Sequence, residues 1–121
     1  MTLELAEKVS EVPKLYEEGD KSTACLLEDF GFPERRKDVT VEDVEAVLKR
    51  RPGLTDLWLR RCQDQRLAGG WGIEHERDHW RIQNFADCRH LEVKDRIRAC
   101  AEFVVRYVRF IGEVQARTRN V

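Results

Sequence analysis

His75-Glu76-Arg77-Asp78-His79 has the spacing H-E-x-x-H. On a helix, histidines four apart share one face and can hold a zinc ion, with the glutamate between them as general base. The chemistry would be metal-assisted hydrolysis, with His75 and His79 as ligands and Glu76 activating a water. That site needs a helix, and the flanks argue against one. Trp71 and Ile73 alternate with Gly72 and Glu74; Trp80 and Ile82 alternate with Arg81 and Gln83. This is period two, the pattern of strands. Gly69, Gly70 and Gly72 also oppose a helix. Zinc helices are largely buried and carry apolar residues between the ligands, whereas here Arg77 and Asp78 stand there. The segment therefore reads as the polar turn of a β-hairpin, with no metal and no cofactor. The small zinc hydrolase is the alternative.

The remaining chemistry-bearing residues form weaker sets. Cys88 and His90 would share a face of one strand as nucleophile and base, but no third group that orients the imidazole can be named. A packed thiol beside a solvated imidazole describes them better. Cysteines stand at 25, 62, 88 and 100, with no pair at CxxC spacing. That argues against a zinc ribbon or a thioredoxin-like centre and points to reduced thiols in the cytosol, mostly buried. Trp58, Trp71 and Trp80 could stack nucleobases, but such residues more often fill a helix–sheet contact.

Helical periodicity dominates the rest of the chain. Leu5, Val9, Val12 and Tyr16 keep three- and four-residue spacing, with Pro13 requiring a break and a fresh start near Ser10. Gly19 stops that helix. Ser22 caps a short helix through Phe30, with Cys25, Leu26 and Leu27 inward, and Gly31 and Pro33 end it. Thr40, with Asp43 three residues on, opens a helix whose apolar face is Val41, Val44, Val47 and Leu48. After a break at Pro52-Gly53, Leu54, Leu57, Trp58 and Cys62 mark a fourth helix, closed by Arg60, Arg61 and Arg66. A short third strand is expected near Arg89–Leu91. Ile97, Cys100, Ala101, Val104, Val108 and Ile111 then form one stripe, widened by Phe103, Tyr107 and Phe110, of a long closing helix. The expected architecture is α+β in a single domain over residues 1–121: helices, a small antiparallel sheet, a long C-terminal helix.

Composition excludes several classes. The 121 residues are 41% hydrophobic and 37% charged. The apolar residues are periodic, so wholesale disorder is not expected. No apolar run reaches the roughly 18 residues of a membrane span. The acidic N-terminus lacks the basic-then-apolar order of a signal peptide, which points to the cytoplasm. The isoelectric point near 6.3 lacks the basic excess of direct nucleic-acid binding. The net charge of -1 conceals a split. Residues 1–48 hold 13 acids against 6 bases, and residues 49–121 hold 10 against 16. Either the fold has two poles that steer a partner, or the charges interleave in space.

Three stretches carry a resemblance: LYEEGDKSTACLLEDFGF, a short acidic helix pair; LWLRRCQDQRLAGGWGI, a tryptophan-bearing helix running into a Gly-Trp strand; and RIRACAEFVVRYVRFI, a closing amphipathic helix. In this order, over roughly residues 14–111, the chain resembles the small immunity proteins of bacterial contact-dependent or polymorphic toxin–immunity systems. The resemblance implies a non-enzymatic cytoplasmic protein that binds and blocks one cognate toxin domain, such as a nuclease. HERDH falls where such proteins carry a variable hairpin turn. The resemblance transfers no binding residues. Physically, acids suit the basic cleft of a nuclease, so Glu17, Glu18, Asp20, Glu28 and Asp29, with Glu42, Asp43 and Glu45 as a second group, are the candidate partner-binding residues. The bland alternative is a solvated helix surface on a general protein-interaction module.

Overall fold

The computed structural model describes residues 2–19, 21–64, 70–84, 86 and 88–119, so Asp20 lies outside the described residues. The architecture is α+β. Among the described residues six helices come first: α1 (Thr2–Ser10), α2 (Val12–Glu18), α3 (Thr23–Asp29), α4 (Phe32–Arg35), α5 (Val41–Arg50) and α6 (Pro52–Asp64). A three-stranded antiparallel sheet follows, β1 (Trp71–Glu76), β2 (His79–Asn84) and β3 (His90–Val93), in the order β1-β2-β3. The long helix α7 (Arg96–Arg119) closes the chain. None of the described helices is long and apolar enough to cross a membrane.

The helix boundaries follow local chemistry. α1 ends at Ser10, and α2 begins with Pro13 in its first turn, where proline lacks only an N–H that would be unpaired anyway. Ser22 caps α3 by accepting a hydrogen bond from the Cys25 N–H at 3.2 Å. Thr40 caps α5 in the same way, accepting from the Asp43 N–H at 3.2 Å, a bond worth about 1 kcal/mol. Gly31 does end α3, at φ 71° in the left-handed region that favours glycine. The chain then restarts at once: Pro33 helps open α4 rather than closing α3. Likewise Pro52 is the first residue of α6, and the break falls one residue earlier, at Arg51, whose backbone leaves the helical region at φ -131° and ψ 71°. Cys25 does not face inward. Thr23, Leu26 and Leu27 take the buried face of α3, and Cys25 stands exposed on the other side.

α7 is the organising element. It packs on α3, α4, α5, α6 and all three strands. Ala99, Cys100, Ala101, Phe103, Val104 and Val108 are all completely buried along it, which is why its apolar stripe is so broad. Trp58 from α6 fills the centre. Its ring meets Phe103 and Tyr107 edge-on, with centroids 6.3 and 6.1 Å away. Its Nε1–H donates to the Ser10 carbonyl at 2.9 Å, so the buried indole keeps its polar atom satisfied. Arg109 ties α7 to the turn after α4, its Nη2 donating to the Val39 carbonyl at 2.7 Å.

α4 approaches α7 at Gly112. A Cβ there would lie 2.9 Å from Phe32 Cε2 and 3.2 Å from Cδ2. Phe32 is fully buried and has little room to yield. Gly112→Val is therefore expected to destabilise the protein by about 1–3 kcal/mol through overpacking. Thermal melting checks this; a variant as stable as wild type would mean that α4 packs less tightly than described.

Candidate functional site

The HERDH segment is the tip of the β1–β2 hairpin. Glu76 pairs with His79 in register and His75 pairs with Trp80, leaving Arg77-Asp78 as a two-residue turn with Arg77 at φ 39°. In a hairpin, successive side chains alternate faces, so the register separates the two histidines. His75 lies on the face of Trp80 and stacks on its indole, centroids 4.3 Å apart and rings 15° from parallel. His79 lies on the opposite face, with its Nε2 3.4 Å from Glu76 and 3.8 Å from Glu92, and its Nδ1 3.2 Å from Asp78. The bond to His79 holds the exposed Asp78 carboxyl below its usual range. Arg81 completes this charged face, 3.7 Å from Glu76 and 3.6 Å from Glu92. The structure thus brings Glu76 to His79 and keeps His75 away from both. No metal-holding group of three or more such side chains occurs among the described residues.

The other sets are also dispersed. Cys88 precedes β3, exposed and at φ 63°, so it does not share a strand face with His90. Trp58 is core. Trp71 lies under the guanidinium groups of Arg89 and Arg106, whose Cζ atoms are 5.5 and 6.0 Å from its ring centroid. It pairs with Asn84 at one end of the hairpin, while Trp80 pairs with His75 at the other. The three rings do not form one platform. Cys25 and Cys88 are exposed free thiols and Cys100 is a buried one; the Cys62 side chain lies outside the described residues. Maleimide is expected to label Cys25 and Cys88 in the folded protein and to reach Cys100 only after denaturation. Rapid native labelling of Cys100 would contradict the burial of its face of α7.

The charge split along the sequence largely interleaves in space. Arg60 Nη2 lies 3.0 Å from Glu17 Oε1. Arg51 lies 3.4 Å from Glu11 and 3.7 Å from Glu7. Arg98 lies 3.1 Å from Glu45 and 3.7 Å from Glu42, and Lys49 lies 3.7 Å from Glu45. The Glu45 contact, through its hydrogen bond first, raises the Arg98 pKa further. Lys21 meets Asp29 at 2.5 Å, which holds the lysine charged to higher pH. Asp43 is half-buried at the start of α5. Of the second acidic group, on α5, Glu45 is held against Arg98 of α7 while the Glu42 side chain stays 72% exposed; Glu17, Glu18, Glu28 and Asp29 are exposed on α2 and α3, which pack together.

Beside this α2–α3 edge lies a groove of about 390 Å³, largely apolar and floored by α7. Tyr16, Thr23 and Ala24 form one wall, Arg61 enters from α6, and Phe110, Val114 and Gln115 come from α7. Tyr16 and Val114 are 42% and 43% exposed, both large apolar side chains left at the surface. Glu17 and Glu18 stand on α2 and Glu28 on α3, the two helices that supply Tyr16, Thr23 and Ala24 to the groove, and all three acids are exposed without lining it. Sequence reading missed it. Tyr16 reads as part of a buried face and Arg61 as a complement to a helix dipole. The one available signal is Val114, which continues the α7 stripe past Ile111. No family model, curated protein or solved structure matches the chain.

Proposed function

We propose that this protein is an immunity-type protein, without catalytic chemistry of its own, that binds one cognate toxin domain in the cytoplasm and occludes it. One observation carries the reading: the three stretches behind the resemblance meet at a single surface. Tyr16, Thr23 and Ala24 come from the first, Arg61 from the second, and Tyr107, Phe110 and Ile111 from the third, and together they line the groove. Tyrosine and arginine beside exposed apolar side chains are the composition of energetic centres in protein interfaces. The exposed carboxylates on the α2–α3 edge supply the polar rim and suit a toxin with a basic cleft, such as a nuclease. The test is direct. The toxin domain encoded next to this gene should form a stable complex with the purified protein, and cells producing it should survive only when the protein is present. A neighbouring toxin that neither binds nor is neutralised would overturn the reading.

A further inference from the structure

Two side chains in the groove have hydrogen-bonding capacity left over. Arg61 donates from Nη2 to Thr23 Oγ1, and its Cζ sits 4.7 Å from the centroid of the Tyr16 ring. Its Nε and Nη1 are buried and have no hydrogen-bond partner. Gln115 donates from Nε2 to the Ala24 carbonyl at 2.8 Å, while its Oε1 is buried and has no partner. Native proteins leave few buried polar atoms unpaired, because such atoms have lost water and gained nothing in return. Here two side chains of opposite polarity leave such atoms in one apolar groove: a cation with two spare donors and an amide with a lone acceptor.

We propose that the groove binds a segment of the partner protein in which a carboxylate stands next to an apolar side chain. The carboxylate accepts from Arg61, whose fork of N–H groups suits it better than any neutral acceptor. A backbone N–H of the same segment donates to Gln115 Oε1. The apolar side chain lies against Phe110 and Val114. A peptide supplies all three groups within one or two residues. Tyr16 gates the cation: its half-exposed ring stands over the guanidinium, and turning it aside uncovers the two open donors. The acidic rim and the buried arginine then divide the work, the rim attracting a basic surface and Arg61 selecting one acid within it.

The assignment rests on the groove being the partner's contact face, but its test needs no toxin. The full chain is titrated with N-acetylphenylalanine, which carries a carboxylate, an N–H and an aromatic ring, and separately with its uncharged amide. The Arg61 Nε–H and Val114 methyl resonances are followed by NMR. The acid should shift both, and the amide should bind on the order of tenfold more weakly, the loss expected for one charge-assisted contact. Arg61→Met should erase that preference. If that variant does not fold, Gln115→Leu serves: it should weaken acid and amide by a similar factor and keep the preference between them. Equal binding of acid and amide to the wild-type protein, or no shift with either, overturns the proposal. A groove indifferent to the acid leaves the toxin reading to its own test, and a toxin that fails to bind leaves the groove's preference for an acid intact.

Discussion

Val104→Asp is expected to unfold the protein or leave it barely folded at room temperature. Val104 is completely buried at the middle of α7, where the helix is covered by other elements on several sides. An aspartate there would either bury an uncompensated carboxylate or bind a proton and still lack hydrogen-bond partners. Either way the cost is several kcal/mol, against a total stability of about 5–15 kcal/mol for a domain. The effect should spread beyond α7, because Val104 shares one core cluster with Leu27, Phe32, Trp58 and Ile82. Circular dichroism during heating measures it. Arg117→Asp, on the same helix but with a side chain 79% exposed, is the control for helix propensity and charge. It should cost no more than about 1 kcal/mol, including the unfavourable acid near the helix C-terminus. Similar melting of the two variants would show that the buried stripe of α7 has been assigned to the wrong face.

Why α7 is legible in the sequence, and the groove is not, has a physical basis. The stripe from Ile97 to Ile111 repeats a local period, and a local period needs no knowledge of what covers it. The caps at Ser22 and Thr40 are equally local, since each side chain reaches a backbone N–H three residues on. The hairpin follows from period two on both sides of Arg77-Asp78, and its register then decides the fate of the HERDH motif. Glu76 and His79 oppose each other, and His75 is left stacked on Trp80. Spacing alone suggests convergence of the histidines; alternation across a strand separates them. α4 was hidden because Gly31 and Pro33 are ambiguous: each ends one helix as readily as it starts the next. The groove depends on contacts that no local pattern encodes. Arg61 meets Thr23 across 38 residues, and Gln115 meets Ala24 across 91. The charge split leaves two outcomes open for the same reason, since Arg60 and Arg98 return to Glu17 and Glu45 only once the chain is folded.

Reversing the acids on the α2–α3 edge should slow association with the toxin much more than it speeds dissociation. The expectation follows from the proposed function and from where the structure leaves the charge. Glu17, Glu18 and Glu28 are exposed on α2 and α3, the helices that also supply Tyr16, Thr23 and Ala24 to the groove. Glu45, by contrast, has a side chain only 19% exposed and lies against both Arg98 and Lys49, so changing it would disturb α5 and α7. Glu17→Lys, Glu18→Lys and Glu28→Lys together change the net charge by six without altering a core residue. Glu17 gives up its contact with Arg60, but that pair is more than half exposed and contributes little to stability. The melting temperature should therefore stay close to wild type. Against a toxin with a basic cleft, long-range attraction would become repulsion, and the association rate at low salt should fall by about tenfold to a hundredfold. Dissociation depends on close contacts in the groove, which the variant keeps, and should change little. In 1 M salt the screening length is about 3 Å, and the two proteins should then associate at similar rates. Stopped-flow mixing with the cognate toxin at low and high salt separates these outcomes. A folded triple variant that associates at the wild-type rate in low salt would exclude the α2–α3 edge as the approach surface. The charged face of the hairpin, built from Glu76, His79, Arg81 and Glu92, would then be the next surface to reverse.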